Sequence, residues 1–380
     1  MVHSMIMNEK SYFGYGSREK LITEIQNNDF RNILLVTDES LVKEQIANLV
    51  TELLDKNNII YTIYDQVKPN PTITIIKDGI KLAKEKNIDL IVAVGGGSSI
   101  DTAKAIGLVL TNPEYEDIVS LEGKKNAKNR AIPIIALPTT TGTGSEATIM
   151  FLINDEQKSK KMICVDSNSI PTITIIDPDL SKNMPKNIAA ETGIEALTQA
   201  IEGYMNKEAW QISDIYNINA MSMIYKNIEK AVNNKDLKAI EFMSYAEYLT
   251  GINTSLGLVQ IMSYAIGAYF DISNGLANAI LLPVVLKYYG QKQSTLFKNI
   301  APIFEIEKEL TNIEIINGII KKKVELKVRL NLPKTLKEIN IPKEMIPTLA
   351  KQAFDNVCTI GNNIDATVDD IKAIYQEVYE

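Results

Sequence analysis

In the first 180 residues the apolar positions come as short continuous runs. They are ILLVT (33–37), IIYTIY (59–64), DLIVAV (89–94), IPIIALP (132–138) and TITIID (172–177). β-Branched runs of this length read as strands, and a run without polar alternation reads as one covered on both faces, as in a parallel sheet. Between the runs, helical spacing predicts one helix from Asp38 to about Asp55, one over 73–86 and one from Ile100 to Val109. PNPT at 69–72 reads as a turn, because proline fixes φ and keeps the residue before it out of helix. Strand and helix alternating through short connections predict a doubly wound (Rossmann-like) α/β sheet. Beyond about residue 185 the pattern turns helical. Helices are expected at roughly 188–205, 212–232, 237–250, 257–270, 275–289, 309–330 and 345–356, with no convincing strand. The chain therefore divides into an α/β domain over 1–180 and an all-helical domain over 181–380, with the boundary between Asp177 and Asn183.

Two loops carry the candidate chemistry. VGGGSSIDTAK (94–104) runs from a buried strand through Gly95, Gly96 and Gly97 into a helix, with Ser98 or Ser99 as a candidate cap. Glycines let a backbone approach a pyrophosphate, and a helix N-terminus favours the anion. Alone, such a loop is equally a tight βα turn. The second loop, PTTTGTGSEAT (138–148), places the hydroxyls of Thr139, Thr140, Thr143 and Ser145 beside two glycines. Loops that follow two parallel strands converge on one sheet edge, where open α/β folds bind ligands. Asp38 ends the first run. A carboxylate there accepts hydrogen bonds from ribose hydroxyls and repels a 2′-phosphate, which favours NAD(H) over NADP(H). Asp38 is also read as a turn or cap residue, since the glycine loop belongs to a later strand than usual.

Composition narrows the field. Hydrophobic residues make up 45% and charged residues 23%, values typical of a globular chain and not of a disordered one. The net charge of −7 argues against general nucleic-acid binding. Apolar runs such as AILLPVVL (279–286) are too short to span a membrane. Two cysteines, Cys164 and Cys358, suit a reducing compartment, and MVHSMIMNEK has no signal pattern, so a cytoplasmic location is expected. His3 is the one histidine, so neither a histidine metal site nor a histidine general base can be built elsewhere. The lysine runs KKNAK (124–128), KSKK (158–161) and KKK (321–323) read as solvated surface.

The pair GGGSSIDTAKAI and ALPTTTGTGSEAT, with MPKNIAAETGIEALTQAIEGY, resembles the group III alcohol dehydrogenases, usually called iron-containing. The likeness runs nearly end to end and is strongest to the family's lactaldehyde reductase branch, through SLEGKKNAKNRAIPIIALPTTTGTGSE, KKMICVD, IEGYMNKEAW, GLANAILLPVV and DNVCTIGNNIDAT. The resemblance implies a nucleotide-binding domain, a helical domain, an active site in the cleft between them, a small aldehyde or alcohol substrate and a homodimer. Matched position by position, it implies cofactor contacts from Asp38, Gly96, Gly97, Ser98, Thr139, Thr140, Thr143 and Lys161, the last near the nicotinamide ribose. Lys161 is equally read as one more solvated lysine.

The resemblance also implies a divalent metal held by one Asp and three His. In this chain Glu195, Gln199, Gln260 and Asn274 stand at those positions, and Tyr264 replaces a further histidine. The stretch GINTSLGLVQ before Gln260 is about three residues shorter than in the lactaldehyde reductases. One carboxylate and three carboxamides do not suit iron or zinc, which want imidazole or thiolate. The four positions stay polar together, which suggests a hydrogen-bonded network between helices. Three readings follow. The first is a metal-free NAD(H)-dependent dehydrogenase with Tyr264 as proton donor and Lys161 lowering its pKa; Tyr264 is alternatively a packing residue. The second is an inactive NAD-binding relative with a regulatory role. The third is a different metal-independent reaction on the same scaffold.

Overall fold

A computed structural model describes residues 3–252, 256–360 and 366–380, with the backbone alone for 357–360. Parts of GINTSLGLVQ and of DNVCTIGNNIDAT, with the Cys358 side chain, lie outside the described residues. The chain forms two compact units, Met1–Met184 and Pro185–Glu380.

In the first unit the strands are β1 (Lys10–Phe13), β2 (Ile33–Asp38), β3 (Tyr61–Val67), β4 (Leu90–Gly95), β5 (Gly123–Lys124), β6 (Ile134–Pro138), β7 (Met150–Asp155), β8 (Lys160–Val165) and β9 (Ile173–Ile176). Its helices are α1 (Lys20–Asn27), α2 (Glu39–Lys43), α3 (Asn48–Lys56), α4 (Ile73–Glu85) and α5 (Gly97–Thr111). Six strands form a parallel sheet in the order β1-β9-β6-β4-β2-β3. The chain leaves β2 for β3, crosses back over β2 to β4, then continues through β6 to β9. That reversal puts a topological switch point between β2 and β4, as in the doubly wound order 2-1-3-4-5. The apolar runs are explained by cover on both faces. Leu34, Val36, Ile91, Ala93, Ile134 and Ala136 belong to one core. Their alternates Ile33, Leu35, Leu90, Val92, Ile135 and Leu137 belong to the other.

Three features depart from the sequence expectation. The helix expected over 38–55 is two, α2 and α3, separated at Gln45, whose φ is 60°. Strand β1 adds itself in parallel to β9 at the sheet edge. The segment 150–165 forms an antiparallel hairpin, β7–β8, turning at Ser159 with φ 47° and joined in parallel by β5. KSKK therefore is not a uniform surface run. Lys161 sits inside β8 at 2% exposure.

The second unit is helical throughout its described residues: α6 (Lys186–Met205), α7 (Gln211–Asn234), α8 (Leu237–Ile252), α9 (Leu258–Phe270), α10 (Asn274–Lys292), α11 (Ser294–Ile300), α12 (Asn312–Arg329), α13 (Ile346–Ile360) and α14 (Val368–Glu377). Helix α6 is buried from Gly193 to Met205, so it has no single polar face. The KKK run is not wholly solvated either. Lys323 is buried, with Nζ 3.9 Å from the Phe304 ring centroid, because α12 turns that position inward. No helix among the described residues is long and apolar enough to cross a membrane.

Candidate functional site

The C-terminal ends of β2, β4 and β6 lie on one edge of the sheet, with Gly95 opposite Pro138 in register. Asp38, the glycine loop and the threonine loop follow from those ends. The two loops touch: Thr139 N–H donates to the Gly95 carbonyl at 3.1 Å. A Cβ on Gly96 would stand 3.0 Å from Thr140 Cγ2, and one on Gly97 would stand 2.7 Å from Thr143 Cγ2. A side chain at 96 or 97 would therefore crowd the threonine loop. Helix α5 begins at Gly97 behind Gly96 as N-cap, with no side-chain cap. Ser98 and Ser99 thus lie inside the first turn and not at the cap. The free N–H groups of that turn point along the positive end of the helix. Asp38 does cap a helix: its Oδ1 accepts from Leu41 N at 3.0 Å. Lys161 Nζ donates to Asn70 Oδ1 at 2.6 Å, and Asn70 lies in the PNPT turn after β3. Asp38, Gly96, Gly97, Ser98, Thr139, Thr140, Thr143 and Lys161 therefore all gather at one sheet edge.

Beneath these loops lies a buried charged group that the sequence reading did not single out: Asp101, Lys104 and Glu146, each at most 5% exposed. Burial lifts Asp101 to about 6 and Glu146 to about 7, and it lowers Lys104 to about 8. Neither Glu146 carboxyl oxygen has a hydrogen-bond partner. With its folded pKa raised above the ordinary 4.5, Glu146 is protonated in the fold at mildly acid pH. The cost of charging it is absent below about pH 4.5, grows up to about pH 7 and is constant above. Glu146→Gln should therefore match the wild type near pH 4.5 and gain in stability over it as the pH rises through neutral. Denaturant unfolding across that range measures this. A stability difference independent of pH would show that the carboxyl does not titrate this way.

In the second unit, four polar side chains on α6 recur at helical spacing: Glu191, Glu195, Gln199 and Glu202. Each holds a different neighbour. Glu191 accepts from Ser273 Oγ at 2.6 Å. Glu195 accepts from Asn274 Nδ2 at 3.3 Å. Gln199 accepts from Thr250 Oγ1 at 3.1 Å. Glu202 accepts from the backbone N–H groups of Val259 (2.7 Å) and Gln260 (3.1 Å) and from the Tyr289 hydroxyl (3.1 Å). It thus caps α9, whose own N-cap is Gly257; a Cβ on Gly257 would meet Glu202 Cδ at 2.2 Å. Burial raises Glu202 to about 7 against the pull of these donors. Burial pushes the Tyr289 phenol well above its usual range, and the Glu202 carboxylate adds to the rise.

Glu195, Gln199, Gln260 and Asn274 thus lie on three helices that pack together, α6, α9 and α10. They do not form the single network expected of them. Asn274 pairs with Glu195, Gln199 turns to Thr250, and both Gln260 side-chain polar atoms lack a hydrogen-bond partner at 1% exposure. Tyr264, one turn after Gln260 on α9, is 2% exposed. Among the described residues no group of three or more His, Cys, Asp and Glu is placed to share a metal ion. Sequence reading found positions 195 and 199 but missed 191 and 202. Extending the helical spacing along α6, four residues back from Glu195 and three on from Gln199, would have found them.

Comparison with known proteins agrees with this architecture across the whole chain. Residues 8–178 match the model of the iron-containing alcohol dehydrogenases, and residues 189–379 match that of the C-terminal part of the Fe-containing alcohol dehydrogenase family. Lactaldehyde reductase of Escherichia coli (strain K12) is 38% identical over 383 residues, covering 100% of both chains. An NAD-dependent methanol dehydrogenase of Bacillus methanolicus is 33% identical, with 96% of each covered. Among solved structures, an alcohol dehydrogenase from Oenococcus oeni superposes with a TM-score of 0.94 at 31% identity, covering 100% of both chains. A doubly wound sheet with its loops at one edge, a helical second unit and full-length relatives of this kind lead to one assignment: the chain belongs to the iron-containing alcohol dehydrogenase family.

Proposed function

We propose that this alcohol dehydrogenase-type oxidoreductase uses NAD(H) to interconvert a small aldehyde and its alcohol, lactaldehyde and 1,2-propanediol first among them, without the transition metal of its family. The substrate class rests on the full-length similarity to a lactaldehyde reductase. The observation that carries the metal-free part is the donor set on α6, α9 and α10. Its one carboxylate, Glu195, is engaged by the Asn274 amide N–H, and the other members are the carboxamides Gln199 and Gln260. Neutral amide oxygens bind Fe²⁺ or Zn²⁺ poorly. Asp38 at the end of β2 supports NAD(H) over NADP(H). On this reading Gly96, Gly97, Ser98, Thr139, Thr140 and Thr143 hold the dinucleotide, and Lys161 lies toward its ribose. Bound NAD(H) would supply the hydride that reduces the carbonyl carbon, with the C=O electron pair left on oxygen. Buried N–H and O–H donors stabilise that charge, and the Tyr264 phenol supplies the proton. Homodimeric assembly is part of the same proposal.

The test is NADH oxidation with lactaldehyde and glycolaldehyde, with and without EDTA. Turnover indifferent to chelator is expected, with sub-stoichiometric Fe, Zn, Ni and Mn by elemental analysis and tighter binding of NADH than of NADPH. Activity that appears only with added Fe²⁺ or Zn²⁺ would sink the metal-free reading. Good NADH binding with no turnover on a broad aldehyde panel would favour a non-catalytic NAD-binding protein instead.

A further inference from the structure

The glycine and threonine loops are tied together from below by two buried side chains on α5. Asp101 and Lys104 lie three residues apart, one turn beyond the glycines, so both face the same neighbour. That neighbour is the segment leaving the threonine loop. Lys104 Nζ donates to the carbonyls of Thr148 and Met150, both at 2.8 Å. Asp101 Oδ2 accepts from Leu152 N at 2.9 Å. The lysine thus takes two carbonyls and the aspartate takes an N–H on alternate residues of one stretch, 148–152. Lys104 is 0% exposed and Asp101 is 5% exposed. Bonds between charged groups and backbone in such a site are stronger than neutral ones and costly to leave half made. The loops are also joined directly, Thr139 N–H donating to the Gly95 carbonyl at 3.1 Å.

We propose that Asp101 and Lys104 are positioning residues for the cofactor, a buried clamp that sets the gap between the glycine loop and the threonine loop. The clamp touches no ligand. It acts by holding residues 139–148 at the distance from the α5 N-terminus at which both loops grip one dinucleotide. Its role rests on the NAD(H) reading given above.

The experiment compares the full-length wild type with Lys104→Met, Asp101→Asn and Asp101→Leu. NADH Kd is read by fluorescence titration, KM and kcat by aldehyde reduction, and amide protection over residues 139–152 by hydrogen exchange. Lys104→Met and Asp101→Leu should raise NADH Kd about tenfold or more, with the loss falling on the Kd and KM for NADH more than on kcat. Asp101→Asn keeps an oxygen for Leu152 N–H and should recover part of the affinity. Protection over 139–152 should fall in the order Asn, Leu. If the variants lose thermal stability but bind NADH as the wild type does, the clamp is merely structural and the proposal is overturned. A wild type that binds no NADH would overturn the dinucleotide reading, and the cofactor role of the clamp with it. The two failures are therefore distinguishable. Should Lys104→Met not fold, the Asp101→Asn and Asp101→Leu pair decides alone.

Discussion

Replacing Tyr264 by phenylalanine is expected to lower kcat for aldehyde reduction about 100-fold while changing the aldehyde KM little, because a proton donor acts mainly in the transition state. Tyr264 lies on α9 at 2% exposure, beside Ser263 and one turn after Gln260. The motive for assigning it chemistry is its position, where the family resemblance has a further histidine. The substitution removes one oxygen and keeps the ring, so packing changes little. Steady-state kinetics beside a thermal melt separate the two roles. A variant with lowered melting temperature and unchanged kcat would return Tyr264 to packing.

Glu202→Ala is expected to destabilise the helical unit by about 4 kcal/mol, a fall in melting temperature on the order of 10 °C. Glu202 is buried and satisfies Val259 N–H, Gln260 N–H and the Tyr289 hydroxyl together. Alanine would strand all three donors, remove the negative charge facing the α9 N-terminus and leave a cavity beside Gly257. Activity should fall too, since α9 carries Gln260 and Tyr264. Glu202→Gln keeps the volume and one acceptor oxygen and should cost far less. Calorimetry of the two variants checks this. Equal melting temperatures for Glu202→Ala and the wild type would mean that α9 needs no cap from α6.

Much of this was legible along the chain. Continuous apolar runs such as DLIVAV identified strands buried on both faces, since a strand with one wet face has to alternate. The glycine and threonine loops announced a sheet edge, because backbone freedom and hydroxyls are local properties of residue type. The family resemblance implied that Glu195 stands at an aspartate position and Gln199, Gln260 and Asn274 at histidine positions, and His3 is the chain's one histidine.

Other features were settled only by tertiary structure. Asp38 seemed out of place because the glycine loop follows a later strand. The strand order puts β2 beside β4, so Asp38 and the glycine loop flank one switch point, and no local pattern encodes which strands become neighbours. Lys323 read as surface, and Lys161 as either a solvated lysine or a cofactor contact, because lysine rarely tolerates burial; helix α12 and hairpin β7–β8 turn both inward. The polar residues at 195, 199, 260 and 274 suggested one network. Packing instead sends Gln199 to Thr250, pairs Asn274 with Glu195 and leaves the Gln260 side-chain amide without a partner. Residue type determines what a side chain is able to bond. Which atoms come within 3.5 Å of it depends on how separate helices cross, a long-range outcome of the whole core and not of any single segment.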